Sequence, residues 1–309
     1  MIPGEIINWL LDSDPSIRWQ VFAHLLDKPE SIYQSERELV ATAGWGKQLL
    51  DLQDENDMWA NGLYSPKWTS TTYTLLLLKR IGLPPGNPAA LKGCKLLIDK
   101  GFNHDDGINF WRSIDYGETC VTGIVLMLLS YFGYKDERVH RLVNHLLERQ
   151  MPDGGWNCQL PNGAIHSSVH TTLTVLEALL EYERAYPKEK NESVKARLKA
   201  HEFLFDHRLY KSHRTGKIIK AQFTRFAFPP RWYYDVLKAM DYFRDSQTPY
   251  NEAMDDSLAL IIKKRNKDGT WNLQQKHPGR TFFEMEITGK PSRWNTLRAL
   301  RVLKYYEIV

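Results

Sequence analysis

The 309-residue chain lacks several features that would assign it to a simple class. It has three cysteines, an odd number that is too small for a disulfide framework. No apolar run reaches the roughly 18 residues that a membrane-spanning helix needs. The formal net charge is +4 without a concentrated basic tail, which disfavours nucleic acid as a partner. Because the start has neither the basic end nor the apolar core of a signal peptide, we expect a reduced, cytoplasmic protein.

Alternation of apolar and polar residues, the pattern of half-buried strands, is almost absent, whereas helical periodicity recurs along the chain. Asp14 and Pro15 are typical of a helix start, with the aspartate as cap and the proline at the first helical position. The first three helices are predicted over residues 5–11, 14–27 and 34–52. The sequence therefore predicts an all-α fold.

From residue 68 onward a repeat is visible, in which an apolar helix, a Gly or Pro turn, a more polar helix and a Trp-bearing loop follow one another. The apolar helices are predicted to begin near residues 15, 68, 118, 168, 232 and 294. The polar helices that follow are predicted over 88–100, 137–150, 192–207 and 252–265. Helical hairpins at a regular period stack on a shared core. We expect about six hairpins, closed into a double ring of inner and outer helices as a single domain over residues 1–309; an open solenoid is the alternative.

The loops carry a second sequence signature of the repeat. Gln150-Met151-Pro152-Asp153-Gly154-Gly155-Trp156 has the form Gln-x-x-Asp-Gly-Gly-Trp, and Asp268-Gly269-Thr270-Trp271 repeats it, with Arg265 at the Gln position. With the alternating helices, this resembles the α/α toroid of squalene and terpene cyclases and of protein prenyltransferase β subunits. A capping Asp and an anchoring Trp suit a structural role for Asp153 and Trp156. Trp156 is also a candidate substrate-binding residue, because these loops border the expected cavity mouth.

The acidic patterns of the cyclases are missing. Class II cyclases protonate an alkene with Asp-x-Asp-Asp, and class I enzymes bind metal with Asp-Asp-x-x-Asp or Glu. The paired aspartates here, Asp105-Asp106 and Asp255-Asp256, match neither pattern. The resemblance therefore does not imply a cyclase of either usual kind.

The prenyltransferase pattern fits better. Those enzymes hold zinc with Asp-x-Cys before one inner helix and a His at the start of a later one. Glu118-Thr119-Cys120 matches with Glu in place of Asp, and His170 opens the next inner helix. Cys158, on the intervening loop, can supply a third ligand, because thiolates and imidazole suit zinc. A Cys-Cys-His set is also similar to that of the lanthipeptide cyclases, although their Cys-His dipeptide is absent.

The resemblance implies a catalytic Zn²⁺ held by Cys120, Cys158 and His170, and the candidate catalytic residues are Glu118, Cys120 and His170. Glu118, His166 or a water can complete the coordination. The alternative is that the cysteines are small apolar core residues, as we expect for Cys94.

A basic, aromatic-rich loop over residues 206–232 precedes the fifth apolar helix. We expect it to border the cavity mouth and to bind an anion, with Arg208, His213, Arg214 and Arg231 as candidate substrate-binding residues. A solvated basic loop is the alternative. Residues 280–286 are predicted to contribute a short strand or a lid, in which Glu284 and Glu286 pair with the basic loop or act as acid and base.

Three functions follow from these patterns. The first is a zinc-dependent enzyme of this superfamily that acts on a small isoprenoid or diphosphate molecule. The second is a metal-free toroid that binds an isoprenoid or another apolar ligand. The third is a non-catalytic scaffold with a structural metal or structural cysteines. The sequence leaves the oligomeric state and the need for a partner subunit open.

Overall fold

The computed structural model describes residues 2–308. Its helices are α1 (Gly4–Leu11), α2 (Pro15–His24), α3 (Glu30–Glu38), α4 (Gly44–Leu50), α5 (Thr71–Ile81), α6 (Pro88–Gly101), α7 (Thr119–Phe132), α8 (Arg138–Glu148), α9 (Val169–Ala185), α10 (Asn191–Asp206), α11 (Val236–Asp245), α12 (Asp255–Lys263) and α13 (Arg293–Tyr305). Two short antiparallel strands, β1 (Trp271–Asn272) and β2 (Pro291–Ser292), pair with each other. The all-α prediction is confirmed.

The chain divides into two compact units. The first unit comprises Met1–Asp51, Arg80–Pro84 and His207–Val309, and the second comprises Leu52–Lys79 and Pro85–Asp206. The single toroidal domain over 1–309 and the closed double ring stay predictions.

In the second unit, α7 and α9 pack against each other as the central pair. Both helices are buried around almost their whole circumference, which is typical of helices inside a core. By contrast, α8 buries only one stripe, which includes Val139, Leu142 and Leu146. This difference between apolar and polar helices is the one that the sequence repeat predicts.

One hydrogen-bond arrangement recurs where a loop meets the apolar helix that follows it. A buried threonine in the first turns of the helix accepts a hydrogen bond from a backbone N–H of the loop. The pairs are Trp59 and Thr71, Ile108 and Thr122, Trp156 and Thr172, and Trp271 and Thr296, with N to Oγ1 distances of 3.1, 2.8, 3.0 and 2.9 Å. Because a buried N–H must be paired, this bond fixes each loop to its helix.

The prediction of one helix over residues 34–52 is wrong. The chain forms α3, a short 3₁₀ turn (Leu39–Ala41) and then α4. Gly44 adopts φ 61°, a left-handed conformation that interrupts the helix, and the Asp14 carboxylate accepts a hydrogen bond from Trp45 N at 2.8 Å. The strand expected over residues 280–286 is also absent from the described chain, where the two strands lie at β1 and β2.

Candidate functional site

Cys120 and Cys158, which are 38 positions apart in sequence, lie together in the second unit. The backbone N–H of Cys120 donates to Cys158 Sγ at 3.1 Å, and the Thr171 hydroxyl donates to the same sulfur at 3.4 Å. Cys120 is the second residue of α7 and Thr171 the third residue of α9. The Cys158 sulfur therefore lies at the N-terminal ends of two helices.

This environment distinguishes the two thiols. The hydrogen bond from Cys120 lowers the pKa of Cys158, and the bond from Thr171 adds to the effect. The same thiol–thiol bond raises the pKa of Cys120, and burial raises it further. Helix N-termini stabilise a nearby negative charge, as they do for reactive cysteines in general. Of the pair, Cys158 is the thiol that loses its proton first as the pH rises.

Cys94 is a third cysteine of a different kind. It is completely buried in α6, and burial alone raises its pKa. This is the small apolar core residue that the sequence predicts.

Glu118 directly precedes α7 and contributes a carboxyl group near the two sulfurs. Its pKa is raised by burial, while a hydrogen bond from the Trp111 side chain acts in the opposite direction. Its Oε2 is buried and has no hydrogen-bond partner among residues 2–308. A buried carboxyl oxygen without a partner indicates a group that is available to a ligand or to a proton.

Two aromatic residues, Tyr64 and Trp111, interact with this carboxyl group. Tyr64 lies close enough to Cys120 and Glu118 to interact with both, although burial is the main reason that its pKa is raised. Its ring stacks on Phe110 with centroids 5.9 Å apart and meets Trp111 edge-on at 5.8 Å. Sequence reasoning missed Tyr64, Phe110, Trp111 and Thr171. Of these, only Thr171 had a signal, since it follows His170 in the same helix start.

The candidate histidines lie at the start of α9 and in the segment that precedes it. His170 is the second residue of α9 and is half-buried, next to Thr171. His166 is exposed, and its carbonyl accepts a hydrogen bond from Asn157 Nδ2 at 2.7 Å. Within residues 2–308 no three His, Cys, Asp or Glu side chains are gathered closely enough to hold a metal ion. The two sulfurs thus fit a zinc site in their chemistry, whereas a third ligand would have to approach them.

In the Gln-x-x-Asp-Gly-Gly-Trp loop, the Gln, Asp and Trp side chains all make hydrogen bonds to the backbone. Trp156 is completely buried, and its indole N–H donates to Leu146 O at 2.7 Å. Asp153 accepts from Ser167 N at 2.9 Å, and Gln150 Nε2 donates to Gly154 O at 2.7 Å and to Ala196 O at 2.8 Å. These contacts hold the segment that leads into α9.

The paired aspartates are engaged in ion pairs and turns. Asp105 accepts from Gly117 N at 2.9 Å and from Arg149 Nη2 at 2.8 Å, which fixes the loop before Glu118. In the first unit, Asp256 pairs with Lys211 at 2.6 Å and with Arg208 at 3.5 Å.

The remaining basic-loop residues belong to the first unit and differ in exposure. Arg214 is exposed, and His213 Nδ1 lies 3.0 Å from His207 Nε2. Arg231 is buried, with 7% of its surface exposed. Arg231 is therefore buried, whereas His213 and Arg214 lie on an exposed part of the loop.

The chain matches no protein-family description and no curated protein. Among solved structures, a protein from Actinoplanes is similar over 96% of this chain and 90% of its own, with 18% identity and a TM-score of 0.46. The type II terpene cyclase MstE from Scytonema, without ligand, is similar over 91% of this chain and 100% of its own, with 12% identity and a TM-score of 0.35. A variant of that cyclase in complex with its product, merosterolic acid A, gives 12% identity, coverage of 89% and 97%, and a TM-score of 0.34. At TM-scores below 0.5 the functional argument rests on the residues of this chain. No helix among residues 2–308 has the length and apolar character required to cross a bilayer.

Proposed function

We propose that the chain is a zinc-dependent enzyme whose centre is Cys120 and Cys158, with His170 as the third ligand. The observation that carries the proposal is the Cys158 sulfur, which accepts hydrogen bonds from Cys120 N and the Thr171 hydroxyl at two helix N-termini. These donors stabilise a thiolate, the form of cysteine that binds metal. His170 directly precedes Thr171 in the first turn of α9, and for that reason we propose it as the third ligand.

Zinc held by two thiolates and an imidazole would keep a fourth position for substrate and would lower the pKa of a thiol or water bound there. The protein's own residues supply the rest of the site. Thr171 and the Cys120 amide donate to Cys158 Sγ and favour its thiolate form. Burial raises the pKa of the Glu118 carboxyl group, which favours its use as a proton donor to a bound substrate.

The aromatic rings favour an apolar substrate. Tyr64, Phe110 and Trp111 form a wall next to Glu118, and Trp111 is 43% exposed. Exposed aromatic surface beside a few polar groups is typical of a small-molecule site. We therefore propose an isoprenoid or a similar apolar molecule as the substrate class.

Elemental analysis of protein purified without chelators tests the metal. We expect about one zinc per chain, lost in Cys158→Ala and retained in Cys94→Ala, since Cys94 is a buried cysteine without polar partners at its sulfur other than Leu128 O at 3.8 Å. His170→Ala should weaken zinc binding without removing both sulfurs. Absence of zinc from the unmodified chain, or loss of zinc in Cys94→Ala alone, would refute the proposed centre.

A metal-free site is the second candidate, and one observation favours it. The two thiols are hydrogen-bonded to each other, and within residues 2–308 no third His, Cys, Asp or Glu side chain joins them in a metal-binding group. In that case Cys158 would act directly on, or simply lie beside, an apolar ligand bound at the aromatic wall. Zinc-free protein that releases a lipid on organic extraction would support this candidate over the first.

We also propose that the hairpins close into a single α/α toroid. The recurrence of the loop-to-threonine hydrogen bond in four helix starts supports equivalent repeats along the chain. An experimental structure that showed an open row of hairpins would contradict closure.

A further inference from the structure

Cys120 and Cys158 are placed for a second chemistry that needs no metal. The backbone N–H of Cys120 donates to Cys158 Sγ at 3.1 Å, and the two thiols are hydrogen-bonded to each other. A disulfide requires two cysteine side chains that are already close together. Both cysteines are free thiols here, so the pair is in the form from which a disulfide is made.

The segment that carries Cys158 is fixed against α9. The backbone N–H of Cys158 donates to Thr171 Oγ1 at 3.4 Å, and the Thr171 hydroxyl donates to Cys158 Sγ at 3.4 Å. Just before it in sequence, Trp156 N donates to Thr172 Oγ1 at 3.0 Å. Because its backbone and its sulfur are both held, Cys158 lies beside Cys120 without reorganisation. Groups held in contact react much faster than the same groups on separate molecules.

The pair differs from the third cysteine in its access to solvent. Cys120 and Cys158 are half-buried, whereas Cys94 is completely buried in α6. Oxidation of a cysteine depends on the access of the oxidant to its sulfur, so a small oxidant reaches the pair before it reaches Cys94. The chain has no further cysteine, and each member of the pair is therefore the available partner of the other.

We propose that Cys120 and Cys158 are an oxidation site, at which a hydroperoxide converts the two thiols into an intramolecular disulfide. Cys158 Sγ, toward which two donors point, attacks one peroxide oxygen. The S–O bond forms, the O–O bond breaks, and the other oxygen leaves with the proton of the thiol. Cys120 Sγ then attacks the resulting sulfenic acid: the S–S bond forms, the S–O bond breaks, and water leaves with the Cys120 proton. The peroxide takes up the two electrons that the thiols lose.

Oxidation also removes two ligands of the proposed zinc centre, because the sulfurs of a disulfide lack the thiolate charge that binds the metal. This consequence for zinc rests on the proposed function, whereas formation of the disulfide does not. The supply of hydroperoxide and of thiol reductant then decides whether the site is a metal-binding dithiol or a metal-free disulfide.

Peptide mapping of the full-length protein without reduction tests the disulfide. Chelator-treated protein is exposed to hydrogen peroxide, unfolded in iodoacetamide to block the remaining thiols, digested and analysed by mass spectrometry. We expect the Cys120 and Cys158 peptides to be joined, with the loss of two hydrogens relative to the reduced peptides, and to separate again in dithiothreitol. Cys94 is the internal control and should be recovered alkylated and unlinked from the same sample.

The unmodified chain carries this test, so the result does not depend on the folding of a variant. Alkylated Cys120 and Cys158 after peroxide treatment, or a link that joins two chains, would overturn the proposal. Cys120→Ala removes the second thiol and keeps the backbone N–H. It should therefore stop at the sulfenic acid of Cys158, which dimedone labels. A folded Cys120→Ala protein without that label would refute the order of the two steps.

Zinc content separates this inference from the proposed function. Peroxide should release zinc from the loaded protein, and dithiothreitol should restore binding; zinc retained by the disulfide-linked protein would contradict the effect on the centre. A chain that forms the disulfide but binds no zinc when reduced would refute the proposed centre alone. A chain that binds zinc but forms no disulfide after chelator treatment would refute this inference alone.

Discussion

Thr171 and Thr172 are neighbours in α9 that we predict to have separable roles. The Thr171 hydroxyl donates to Cys158 Sγ, whereas Thr172 Oγ1 accepts from Trp156 N at 3.0 Å. A hydrogen bond to a charged group is worth about 1.5–3 kcal/mol, and one pKa unit corresponds to about 1.4 kcal/mol. Thr171→Val should therefore raise the pKa of Cys158 by about one to two units.

The measurement is the rate of alkylation of Cys158 by iodoacetamide against pH, on chelator-treated protein, with modified peptides quantified by mass spectrometry. Below its pKa, the rate of Thr171→Val should fall about 10- to 100-fold, because the rate follows the thiolate fraction. Thr171→Ser keeps the hydroxyl and should retain most of the reactivity. The buried Cys94 serves as an unreactive internal reference.

Thr172→Val should lower the stability of the fold and leave the reactivity of Cys158 unchanged. It leaves the buried Trp156 N–H without a partner and should lower the free energy of unfolding by about 1–3 kcal/mol, measured with denaturant, while Cys158 reacts as before. If Thr171→Val and unmodified protein gave the same alkylation profile, the Thr171 hydroxyl would have no effect on the thiolate and the reasoning would be wrong.

Three further predictions concern stability. In the folded chain burial lowers the pKa of His201 from 6.5 to about 3, so the free energy of unfolding should fall by about 5 kcal/mol for this group as the pH drops from 6.5 to 3. His201→Gln should flatten that part of the pH profile of unfolding. An unchanged profile would contradict this prediction. Asp241→Asn should cost about 3–5 kcal/mol in denaturant unfolding, because its carboxylate pairs with the buried Arg298 and with the half-buried Arg301, and a loss below 1 kcal/mol would refute this. Gly107→Ala places a Cβ 2.3 Å from His145 Cε1, so it should lower the melting temperature by several degrees; an unshifted melting curve would contradict the close packing.

Local sequence predicted the helices well where apolar periodicity was strong. The starts of α7 and α9 were expected at residues 118 and 168, and the structure begins them at Thr119 and Val169. Prediction failed over residues 34–52, where a continuous helical pattern hides a break. That break depends on Asp14, which lies about thirty positions upstream and binds Trp45 N, a contact that periodicity does not record.

For the candidate site, sequence reasoning identified the residue types but not their partners. Cys120, Cys158, His170 and Glu118 were proposed from spacing and from resemblance, and the structure brings the two sulfurs together. Tyr64, more than fifty residues before Cys120, carries no sequence signal for its place beside Glu118. Its position is set by aromatic packing against residues of another loop.

By itself, the sequence determined that the chain is mostly helical, because helix caps and apolar periodicity act over a few residues. It also limited the candidate metal ligands, since only three cysteines are available. Only the tertiary structure decided which thiol of the pair has its pKa lowered and which has it raised. Those properties depend on hydrogen bonds, burial and charge between groups that are distant along the chain, and such interactions exist only once the helices are packed.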